Sequence, residues 1–543
     1  MITNLQFNKN HGTKNQVIFF INMINHKKIT VMAEDLIAII DFGSQYTHLI
    51  ARRIRECEVR SELFLWDVSA KEIISKKPKG IILSGSPASV YEKKAPSCDR
   101  KIFNLEIPIL GICYGMQTMA HMLGGSVMKS EKREYGKTEL IIEDKSDLFQ
   151  GLNDRTIVWM SHGDYVKHPP EGFDVIAHSE NCPIAAIRNK DKRIFGLQFH
   201  PEVVHTEKGV DILKNFIFNI CECKPSWEMK SFIEQTVSEI KDKVGNEKVL
   251  CALSGGVDSS TTAALIYRAI GDNLTCIFVD HGLLRKDEAQ QIIKTFRDNY
   301  KMKLIYVDAS SRFLSRLKGV KDPEEKRRIV GEEFIKVFTE EGKKLGEFQW
   351  LAQGTLYPDV IESAKAGSPA SRIKTHHNVA GLPSWMTFKL LEPLRILYKD
   401  EVRKVAHLLG LPEDIVKRHP FPGSGLSVRI MGEVTEEKIR ICREASYIVE
   451  EELKKSGFYD KVWQAFAMVG DDKAVGILGD EKRFGHIVTI RIVESSDGMT
   501  ADWVKLPYEI LERISNRITN EVPNVTLVSY AISSKPPSTI EPC

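Results

Sequence analysis

The sequence predicts an α/β protein in which two doubly wound parallel-sheet domains are followed by a smaller α+β domain. Three observations support this fold class. Short apolar β-type runs alternate with amphipathic helical stretches over two long parts of the chain. Two strand–loop–helix junctions carry glycines beside nucleophilic or hydroxyl side chains. The length of 543 residues is also too great for a single hydrophobic core.

The first alternating pattern predicts a domain over residues 35–224. Its apolar runs have the length of buried parallel strands, and the segments between them have helical periodicity. The strands are expected at Ile37–Ile40, Gly80–Leu83 and Pro108–Ile112, and helices at 45–56 and 114–123. The sequence Lys-Pro-Ser-Trp after Cys223 indicates a linker. Residues 1–34 are expected to be a disordered extension or the product of a mis-assigned start codon.

A second alternating pattern predicts another α/β domain over residues 225–418. Its strands are expected at Val249–Leu253, Leu274–Val279 and Lys303–Val307, with helices at 259–270 and 286–299 and a charged helical segment at 308–346. Residues 355–388 are rich in Gly, Ser, Pro and His, and connections of this length are often functional lids. The third domain, 419–543, is expected to be α+β, with a helix at 435–456 and strands near 485–493 and 525–532.

Composition and charge exclude several classes of function. The net charge of +3 is small for this length and gives no basic patch for nucleic acid. No run approaches the ~20 apolar residues of a membrane helix, and the N-terminal segment lacks the features of a signal peptide. Ten scattered cysteines are typical of a reducing compartment, so we expect a cytoplasmic protein. Cys221 and Cys223 are interpreted as part of an ordinary helix end, because no second ligand pair lies near them.

The first candidate site is centred on Cys113. The sequence Pro108-Ile-Leu-Gly-Ile-Cys-Tyr-Gly-Met-Gln117 places this cysteine between a buried strand and a helix, with a glycine two residues to either side. Glycines permit a tight turn that exposes a nucleophile at the helix N-terminus. Backbone N–H groups and the helix dipole favour a thiolate there and can bind an oxyanion.

A thiol nucleophile also needs a base, and the base needs a group that orients it. The sequence Leu197-Gln-Phe-His-Pro-Glu202 supplies both at the end of another strand-like run. The spacing and the elbow glycines together favour a catalytic cysteine over a packed core residue. We therefore predict that Cys113, His200 and Glu202 form a triad.

These motifs resemble the class I glutamine amidotransferases. The resemblance implies that Cys113 is the nucleophile, His200 the base and then the acid, and Glu202 the orienting carboxylate. It also implies an oxyanion hole at Tyr114 and the loop Ser84-Gly-Ser-Pro87, in which Ser86 replaces a family glycine but keeps its backbone N–H. Residues implied to hold glutamine or its oxyanion are Ser86, Tyr114, Gln117, Ser161, His162 and Asp164.

The second candidate site is a strand, a small-residue loop and a helix start. Its glycines let backbone amides approach phosphate oxygens, and its serines add hydroxyl donors. The loop is Ser254, Gly255, Gly256, Val257, Asp258, Ser259 and Ser260. This S-G-G-x-D-S sequence resembles the PP-loop of ATP pyrophosphatases, which cleave ATP between the α and β phosphates. The resemblance implies ATP binding, with Asp258 holding Mg²⁺ near the pyrophosphate.

Further motifs resemble the GMP synthetase family from about Ile37 to Glu541. The sequences Gln353–Ser363 and Ile373–Pro383 match its lid, and Ser533–Glu541 matches its C-terminal ending. The resemblance implies lid roles for Asp359, Glu362 and Lys374, and xanthosine monophosphate (XMP) binding by Arg327, Lys535 and Glu541. It also implies a homodimer through the C-terminal domain.

The implied reaction has two parts. Ammonia released from glutamine is transferred to adenylated XMP, which gives GMP, AMP, pyrophosphate and glutamate. Two alternatives remain at this point: a PP-loop amidotransferase acting on another acceptor, such as a tRNA uridine or nicotinate adenine dinucleotide, and a catalytically silent nucleotide-binding protein. An assay for turnover of XMP distinguishes GMP synthesis from a reaction with another acceptor. The intact triad argues against a catalytically silent protein.

Overall fold

The computed structural model describes residues 34–364, 388–478, 481–495 and 500–543, without the side chains of 130–133, 361–364 and Leu478. The chain forms two compact units that divide between Trp227 and Glu228. We call them unit 1 and unit 2. Of the predicted N-terminal extension, all but Glu34 lies outside the described residues.

Unit 1 is built on one sheet. Its strands are β1 (Leu36–Asp41), β2 (Arg60–Leu65), β3 (Gly80–Leu83), β4 (Ile109–Ile112), β5 (Ser126–Ile142), β6 (Arg155–His168), β7 (Asp174–His178), β8 (Ala186–Asn189) and β9 (Ile194–Leu197). Within the described part of the unit, their order is β2-β1-β3-β4-β9-β8-β7-β5-β6. The first five strands in this order are parallel. The others pair antiparallel and extend the sheet beyond the predicted parallel core.

The helices of unit 1 carry the apolar faces that the periodicity predicts. They are α1 (Thr47–Glu56), α2 (Ala70–Ser75), α3 (Tyr114–Met122) and α4 (Gly209–Lys214), the last continued by a π-helical turn over Asn215–Ile220. In α3, Met116, Met119 and Ala120 are completely buried in the same apolar cluster as Ile109 and Ile187 from the sheet. This packing fixes the N-terminus of α3 at the carboxyl end of β4.

Unit 2 contains a five-stranded parallel sheet among its described residues. Its strands are β10 (Val249–Ala252), β11 (Leu274–Asp280), β12 (Lys303–Asp308), β13 (Trp350–Ala352) and β14 (Lys389–Leu391), in the order β12-β11-β10-β13-β14. All neighbouring pairs are parallel. The carboxyl ends of these strands therefore meet at one edge, where ligands bind in sheets of this kind.

Helices surround this parallel sheet. They are α5 (Met229–Val244), α6 (Val257–Ile270), α7 (Glu288–Ile292, continued by a π-helical turn over Ile293–Asn299), α8 (Ser310–Leu317), α9 (Pro323–Lys344), α10 (Tyr357–Ala364), α11 (Lys399–Leu408) and α12 (Glu413–Val416). Helices α5, α6 and α11 pack together, whereas α9 packs on β11. Together with the sheet and helices of unit 1, this arrangement confirms the predicted α/β fold class.

The last part of unit 2 is α+β, as predicted. Its elements are α13 (Glu436–Lys455), β15 (Gln464–Leu478), β16 (Glu481–Glu494), β17 (Asp502–Trp503), α14 (Tyr508–Glu521) and β18 (Val525–Tyr530). β16 pairs antiparallel with β15 and β17 and parallel with β18. Residues from Leu250 to Val525 share one apolar core, so both sheets of unit 2 lie on a common interior. The predicted boundary between 418 and 419 stays a prediction.

Within the described part of the chain, none of the helices combines the length and apolar character needed to cross a bilayer. All ten cysteines are free thiols, and nine of them are buried.

Candidate active sites

Cys113 occupies the turn between β4 and α3. Its backbone has φ +52° and ψ −108°, in a region that residues with a side chain rarely adopt. Its amide donates to the carbonyl of Leu197 in β9 at 2.6 Å, which anchors the turn to the neighbouring strand. The backbone therefore has the sharp strand-to-helix geometry of a nucleophile elbow.

The two glycines beside Cys113 are required by close backbone approach. A Cβ atom on Gly115 would lie 2.3 Å from the carbonyl oxygen of Leu83, and one on Gly111 would lie 2.7 Å from the amide nitrogen of Met116. The φ of neither glycine lies in the left-handed region, whereas that of Cys113 itself does. The glycines thus let α3 approach the sheet, and the cysteine itself adopts the strained conformation.

His200 and Glu202 lie just beyond β9 and are hydrogen-bonded to each other. The Nδ1 atom of His200 is 2.7 Å from Oε1 of Glu202, and both side chains are almost fully buried. The amide of His200 donates to the carbonyl of Trp159, and the hydroxyl of Thr206 donates to the carbonyl of His200. These bonds hold the imidazole in a defined orientation.

The charges around His200 favour its imidazolium form. Burial alone lowers its pKa, but the opposite charges of Glu202 and Cys113 outweigh burial, and the pKa of His200 lies well above its usual range. A side-chain hydrogen bond also links His200 to Cys113. The three predicted triad residues are therefore brought together in a geometry suited to a thiolate–imidazolium pair.

Polar groups predicted to hold glutamine surround the thiol. The carbonyl of Ser161 is 3.8 Å from the Sγ atom of Cys113. The side chain of Gln117 is buried, and its Nε2 donates to the carbonyl of Asp164 at 2.7 Å. The carboxylate of Asp164 accepts a hydrogen bond from Ser89 at 2.6 Å. These contacts place the β6 segment 161–164 against the nucleophile.

Gln198, which was not predicted from the sequence, lies beside the nucleophile. Its buried Nε2 lies 3.7 Å from the Sγ atom of Cys113, and its Oε1 accepts from Gln117 at 3.3 Å. This residue lies in the motif that supplied His200, two positions earlier. Side chains two positions apart on an extended segment point to the same side, so the predicted position of His200 could have indicated that Gln198 also lies beside the thiol.

The predicted oxyanion loop stands next to the imidazole. A Cβ atom on Gly85 would lie 3.4 Å from Cε1 of His200. The hydroxyl of Ser86 accepts a hydrogen bond from the amide of Ala88, and Ser84 ties the loop to β1 through the amide of Phe42. Tyr114 is buried with its hydroxyl bonded to the carbonyl of Pro96, so its contribution to an oxyanion hole comes from the backbone.

The predicted phosphate loop connects β10 to α6 in unit 2. Gly255 has φ +78°, and a Cβ atom there would lie 2.2 Å from Ile292, so this position requires glycine. The hydroxyl of Ser259 accepts from the amide of Ser254 and donates to the carbonyl of Gly256. Of the remaining loop residues, Val257 and Ser260 are buried at the start of α6. Within the described part of the chain, the hydroxyl of Ser260 has no hydrogen-bond partner.

Asp258 is suited to holding a magnesium ion. Its Oδ2 forms an ion pair with Nζ of Lys399, and its buried Oδ1 has no hydrogen-bond partner among the described residues. A carboxylate oxygen with a free coordination position beside a phosphate loop fits Mg²⁺, which prefers oxygen ligands and keeps substrate phosphates in its shell. Lys399, at the start of α11, was not predicted from the sequence.

Positive charge lines the cavity above this loop. The cavity measures about 270 Å³ and includes Ser254, Asp258, Arg285, Lys399, Arg403 and Arg418. Arg418 donates to the carbonyl of Gly255, which ties α12 to the loop. His281 lies in the same cavity, and burial lowers its pKa, so a neutral ring accepts from the amide of Leu283. The arrangement suits a ligand that carries several phosphates.

The predicted lid is only partly described. Its first part is the helix α10, and the carboxylate of Asp359 accepts from the amide of Leu356 at the start of that helix. A helix there replaces the loop that the Gly- and Ser-rich composition predicted, because Tyr357–Ala364 itself has helical spacing. The side chain of Glu362 and all of Lys374 lie outside the part of the chain that the structure describes.

Two of the predicted XMP residues lie on the C-terminal segment, and the third, Arg327 in α9, contacts that segment. Glu541 accepts two hydrogen bonds from Arg429 at 2.9 and 3.0 Å and another from Gln464 at 2.6 Å. The guanidinium of Arg429 is buried, with the ring of Phe466 4.1 Å away. Arg327 donates to the carbonyl of Cys543, and the backbone of Lys535 pairs with that of Ala501. The contacts bring Arg327 and Glu541 to one terminal segment, with Lys535 paired separately.

The fold and the two sites define a glutamine amidotransferase joined to a PP-loop ATP pyrophosphatase. Family models match in the same order: "Glutamine amidotransferase class-I" over residues 38–220, "NAD synthase" over 227–330 and "GMP synthase C terminal domain" over 451–542. The glutamine-hydrolyzing GMP synthase of Caldanaerobacter subterraneus is 59% identical over 507 residues, which are 93% of this chain and 99% of that protein. The corresponding proteins of Carboxydothermus hydrogenoformans and Caldicellulosiruptor saccharolyticus are 57% and 55% identical over 93% and 94% of this chain, and over 99% and 100% of their own lengths.

The chain belongs to the glutamine-hydrolyzing GMP synthase family. These relatives confirm the family that the motifs predicted, over nearly the whole chain. The individual site assignments stay predictions, which the geometry above supports.

Proposed function

We propose that this protein makes GMP from XMP, ATP and glutamine. The proposal rests on two features that occur together in one chain of this family. An elbow cysteine lies within hydrogen-bonding distance of a buried His–Glu pair, and a separate loop has the form of a phosphate-binding loop. The first site supplies ammonia and the second activates the acceptor. A PP-loop amidotransferase acting on another acceptor is not favoured, because residues 451–542 match the family model of the GMP synthase C-terminal domain.

In unit 1, the Cys113 thiolate attacks the carboxamide carbon of glutamine. Backbone N–H groups at the start of α3 and in the loop at Ser86 stabilise the oxyanion. The His200 imidazolium protonates the leaving ammonia and then takes a proton from water, which hydrolyses the thioester to glutamate. Glu202 keeps the imidazole oriented and stabilises its positive charge.

In unit 2, the residues of the PP-loop bind the phosphates of ATP. Amides of the Ser254–Gly256 turn and the serine hydroxyls face the phosphate oxygens, and Lys399 and Arg418 add positive charge. Asp258 would hold Mg²⁺, and the bound ion would supply positive charge beside the phosphates of ATP. The XMP oxygen takes the adenylyl group, and ammonia then displaces AMP at the purine carbon.

We further propose a homodimer formed through the β15–β16 hairpin. Val475 and Phe484 are register partners on this hairpin, and with Ile477 they are more than half exposed. Exposed apolar side chains on a projecting two-stranded ribbon are typical of an interface between copies.

All ten cysteines are free thiols, which is typical of proteins in a reducing compartment. We therefore propose that the protein is located in the cytoplasm.

The test of the proposed function is a direct assay of the full chain. XMP, ATP and Mg²⁺ are mixed with glutamine or with ammonium, and loss of the xanthine chromophore is followed together with GMP, AMP and pyrophosphate. The proposal expects all three products in equal amounts with either nitrogen source. No turnover of XMP by folded enzyme with either source would show that the acceptor is a different molecule.

A further inference from the structure

Unit 1 contains a second cluster of reactive side chains beside the triad. Glu134 on β5, His162 on β6 and Cys182 in the connection from β7 to β8 place one ligand-type atom each within 4.8 Å of the others. All three residues are buried. In the described part of the chain, no other group of three His, Cys, Asp or Glu side chains brings its ligand atoms this close.

The hydrogen bonds of His162 determine which ring nitrogen faces the cluster. Nδ1 lies 3.1 Å from the carbonyl of Asp164, which can only accept, so Nδ1 carries the hydrogen. Nε2 is therefore the ring nitrogen left to face the cluster.

Nε2 of His162 faces a buried carboxylate oxygen. Nε2 of His162 is 3.4 Å from Oε2 of Glu134, it makes no hydrogen bond to any residue that the structure describes, and the imidazole is only 3% exposed. Burial of two polar atoms that make no hydrogen bond to each other is unfavourable, and a cation bound between them would offset this cost. The thiol of Cys182 is the third potential ligand in this group.

We propose that Glu134, His162 and Cys182 form a binding site for a thiophilic divalent cation of the zinc class. A carboxylate oxygen, an imidazole nitrogen and a thiolate sulfur are the donors that Zn²⁺ takes in proteins. On binding, the proton leaves Sγ of Cys182 for solvent and a sulfur–metal bond forms. The charges of one cation, one thiolate and one carboxylate then sum to zero, which favours a buried site.

Neighbouring groups already orient two of these ligands. The Nδ1–H of His162 donates to a backbone carbonyl, and the hydroxyl of Ser179 donates to Oε1 of Glu134 at 3.1 Å. Such outer contacts typically fix metal-ligating side chains. Burial raises the pKa of the Cys182 thiol to about 12, so loss of its proton has a cost and occupancy depends on the metal concentration.

The site shares a segment with the nucleophile. Ser161 and Asp164, on either side of His162, contact Cys113 and Gln117 respectively. Coordination through Nε2 draws His162 toward Glu134 and Cys182, and so displaces the segment predicted to hold glutamine. We therefore expect metal to inhibit glutamine use and to spare the ammonia-dependent reaction. This consequence rests on the proposed function, whereas metal binding itself does not.

The binding test uses Co²⁺ as a spectroscopic probe on the full chain. The measurement uses the Cys113→Ala variant, which lacks the catalytic thiol. We expect bound Co²⁺ to give a thiolate-to-cobalt absorption band, and this band to disappear when Zn²⁺ displaces Co²⁺. Adding Cys182→Ser should weaken Co²⁺ affinity at least about tenfold, and Cys57→Ser, at a buried cysteine elsewhere in unit 1, should leave it unchanged. Glu134→Gln provides a second ligand variant if Cys182→Ser fails to fold. A missing band, or one insensitive to both ligand variants, would overturn the site.

The activity test uses enzyme that retains Cys113. Zn²⁺ should lower glutamine-dependent GMP formation at least tenfold and leave the ammonia-dependent rate unchanged, and Cys182→Ser should remove this sensitivity. Equal inhibition of wild type and Cys182→Ser would place the metal at Cys113 and His200 and overturn the inhibitory role. If metal-free enzyme formed no GMP at all, the proposed function would fail, while the cobalt spectra would still decide the site.

Discussion

The imidazole Nδ1 of His200 lies 2.7 Å from the carboxylate Oε1 of Glu202, and water has almost no access to either side chain. Opposite charge on Glu202 and Cys113 outweighs the effect of burial and raises the pKa of His200. The imidazolium therefore persists below this raised pKa and is lost as pH rises through it. The ammonia leaving group needs that proton, so the alkaline limit of glutamine use reports the pKa of His200.

Glu202→Gln removes one of the charges that raise this pKa. The imidazolium is then lost at a lower pH, so the alkaline limb of kcat/KM for glutamine should shift to lower pH. The value at neutral pH should fall by about 10²- to 10⁴-fold, as for a base that has lost its orienting carboxylate. Ammonia-dependent synthesis should keep its wild-type rate when both proteins are compared at the same pH. An unshifted alkaline limb would show that Glu202 does not set the charge of His200.

Gly115→Ala tests the close approach of α3 to the sheet. The new Cβ would lie 2.3 Å from the carbonyl oxygen of Leu83, a backbone atom that cannot rotate away. We expect a loss of about 1–3 kcal/mol in the free energy of unfolding of unit 1, together with reduced glutamine use. Denaturant titration and the glutamine-dependent assay measure both effects.

Gly331→Ala is the matched control for this glycine. Among the described residues, no neighbouring atom lies within 4 Å of a Cβ at Gly331 in the middle of α9, so the change should be neutral or stabilise the protein by up to about 1 kcal/mol. Equal stability of both variants would contradict the crowding at Gly115.

The sequence was sufficient for the parts of the fold that depend on local pattern. The runs at Gly80–Leu83 and Leu274–Val279 form buried parallel strands as predicted, because each is apolar on both faces. The long antiparallel strands β5 and β15 were not predicted, since charged residues interrupt their alternation and their stability comes from pairing over many residues. Their register depends on distant partners, which local periodicity does not contain.

The same distinction applies to the sites. Cys113 and the phosphate loop lie at strand–helix junctions that a short motif specifies. Lys399 and Gln198 contact residues 141 and 85 positions away, so a short motif alone does not identify their partners. A lysine at the start of the helix after β14 could have been suspected, because it lies at the ligand-binding edge of the parallel sheet.

Lys399→Met tests the role of that lysine in phosphate binding. Its Nζ pairs with Asp258, so its loss should lower GMP synthesis by about 10²- to 10³-fold. The glutamine- and ammonia-dependent rates should fall equally, because ATP is needed for both. Steady-state assays with each nitrogen source give the comparison.

Lys389→Met is the control for Lys399→Met. This lysine begins β14, at the opposite edge of the sheet from the phosphate loop, where it pairs with Glu247 near the surface. We expect less than a twofold change in activity. A loss confined to the glutamine-dependent rate in Lys399→Met would argue against a role in ATP binding.

Phe484→Asp tests the proposed dimer. A carboxylate in place of an exposed apolar ring should oppose burial of the hairpin between two copies, and the protein should become monomeric in light scattering after size exclusion. Tyr508→Asp, at a highly exposed ring at the start of α14, provides a comparison that should stay dimeric. A wild-type protein that is monomeric at micromolar concentration would contradict the proposal.

The central claim is that one site releases ammonia and another consumes it. The most direct measurement compares GMP formation by Cys113→Ala with glutamine and with ammonium at a pH where free ammonia is abundant. We predict that the glutamine-dependent rate falls below about one-thousandth of wild type, whereas the ammonia-dependent rate stays within twofold. Undiminished glutamine-dependent synthesis by this variant, or loss of both activities in a correctly folded protein, would contradict the two-site account.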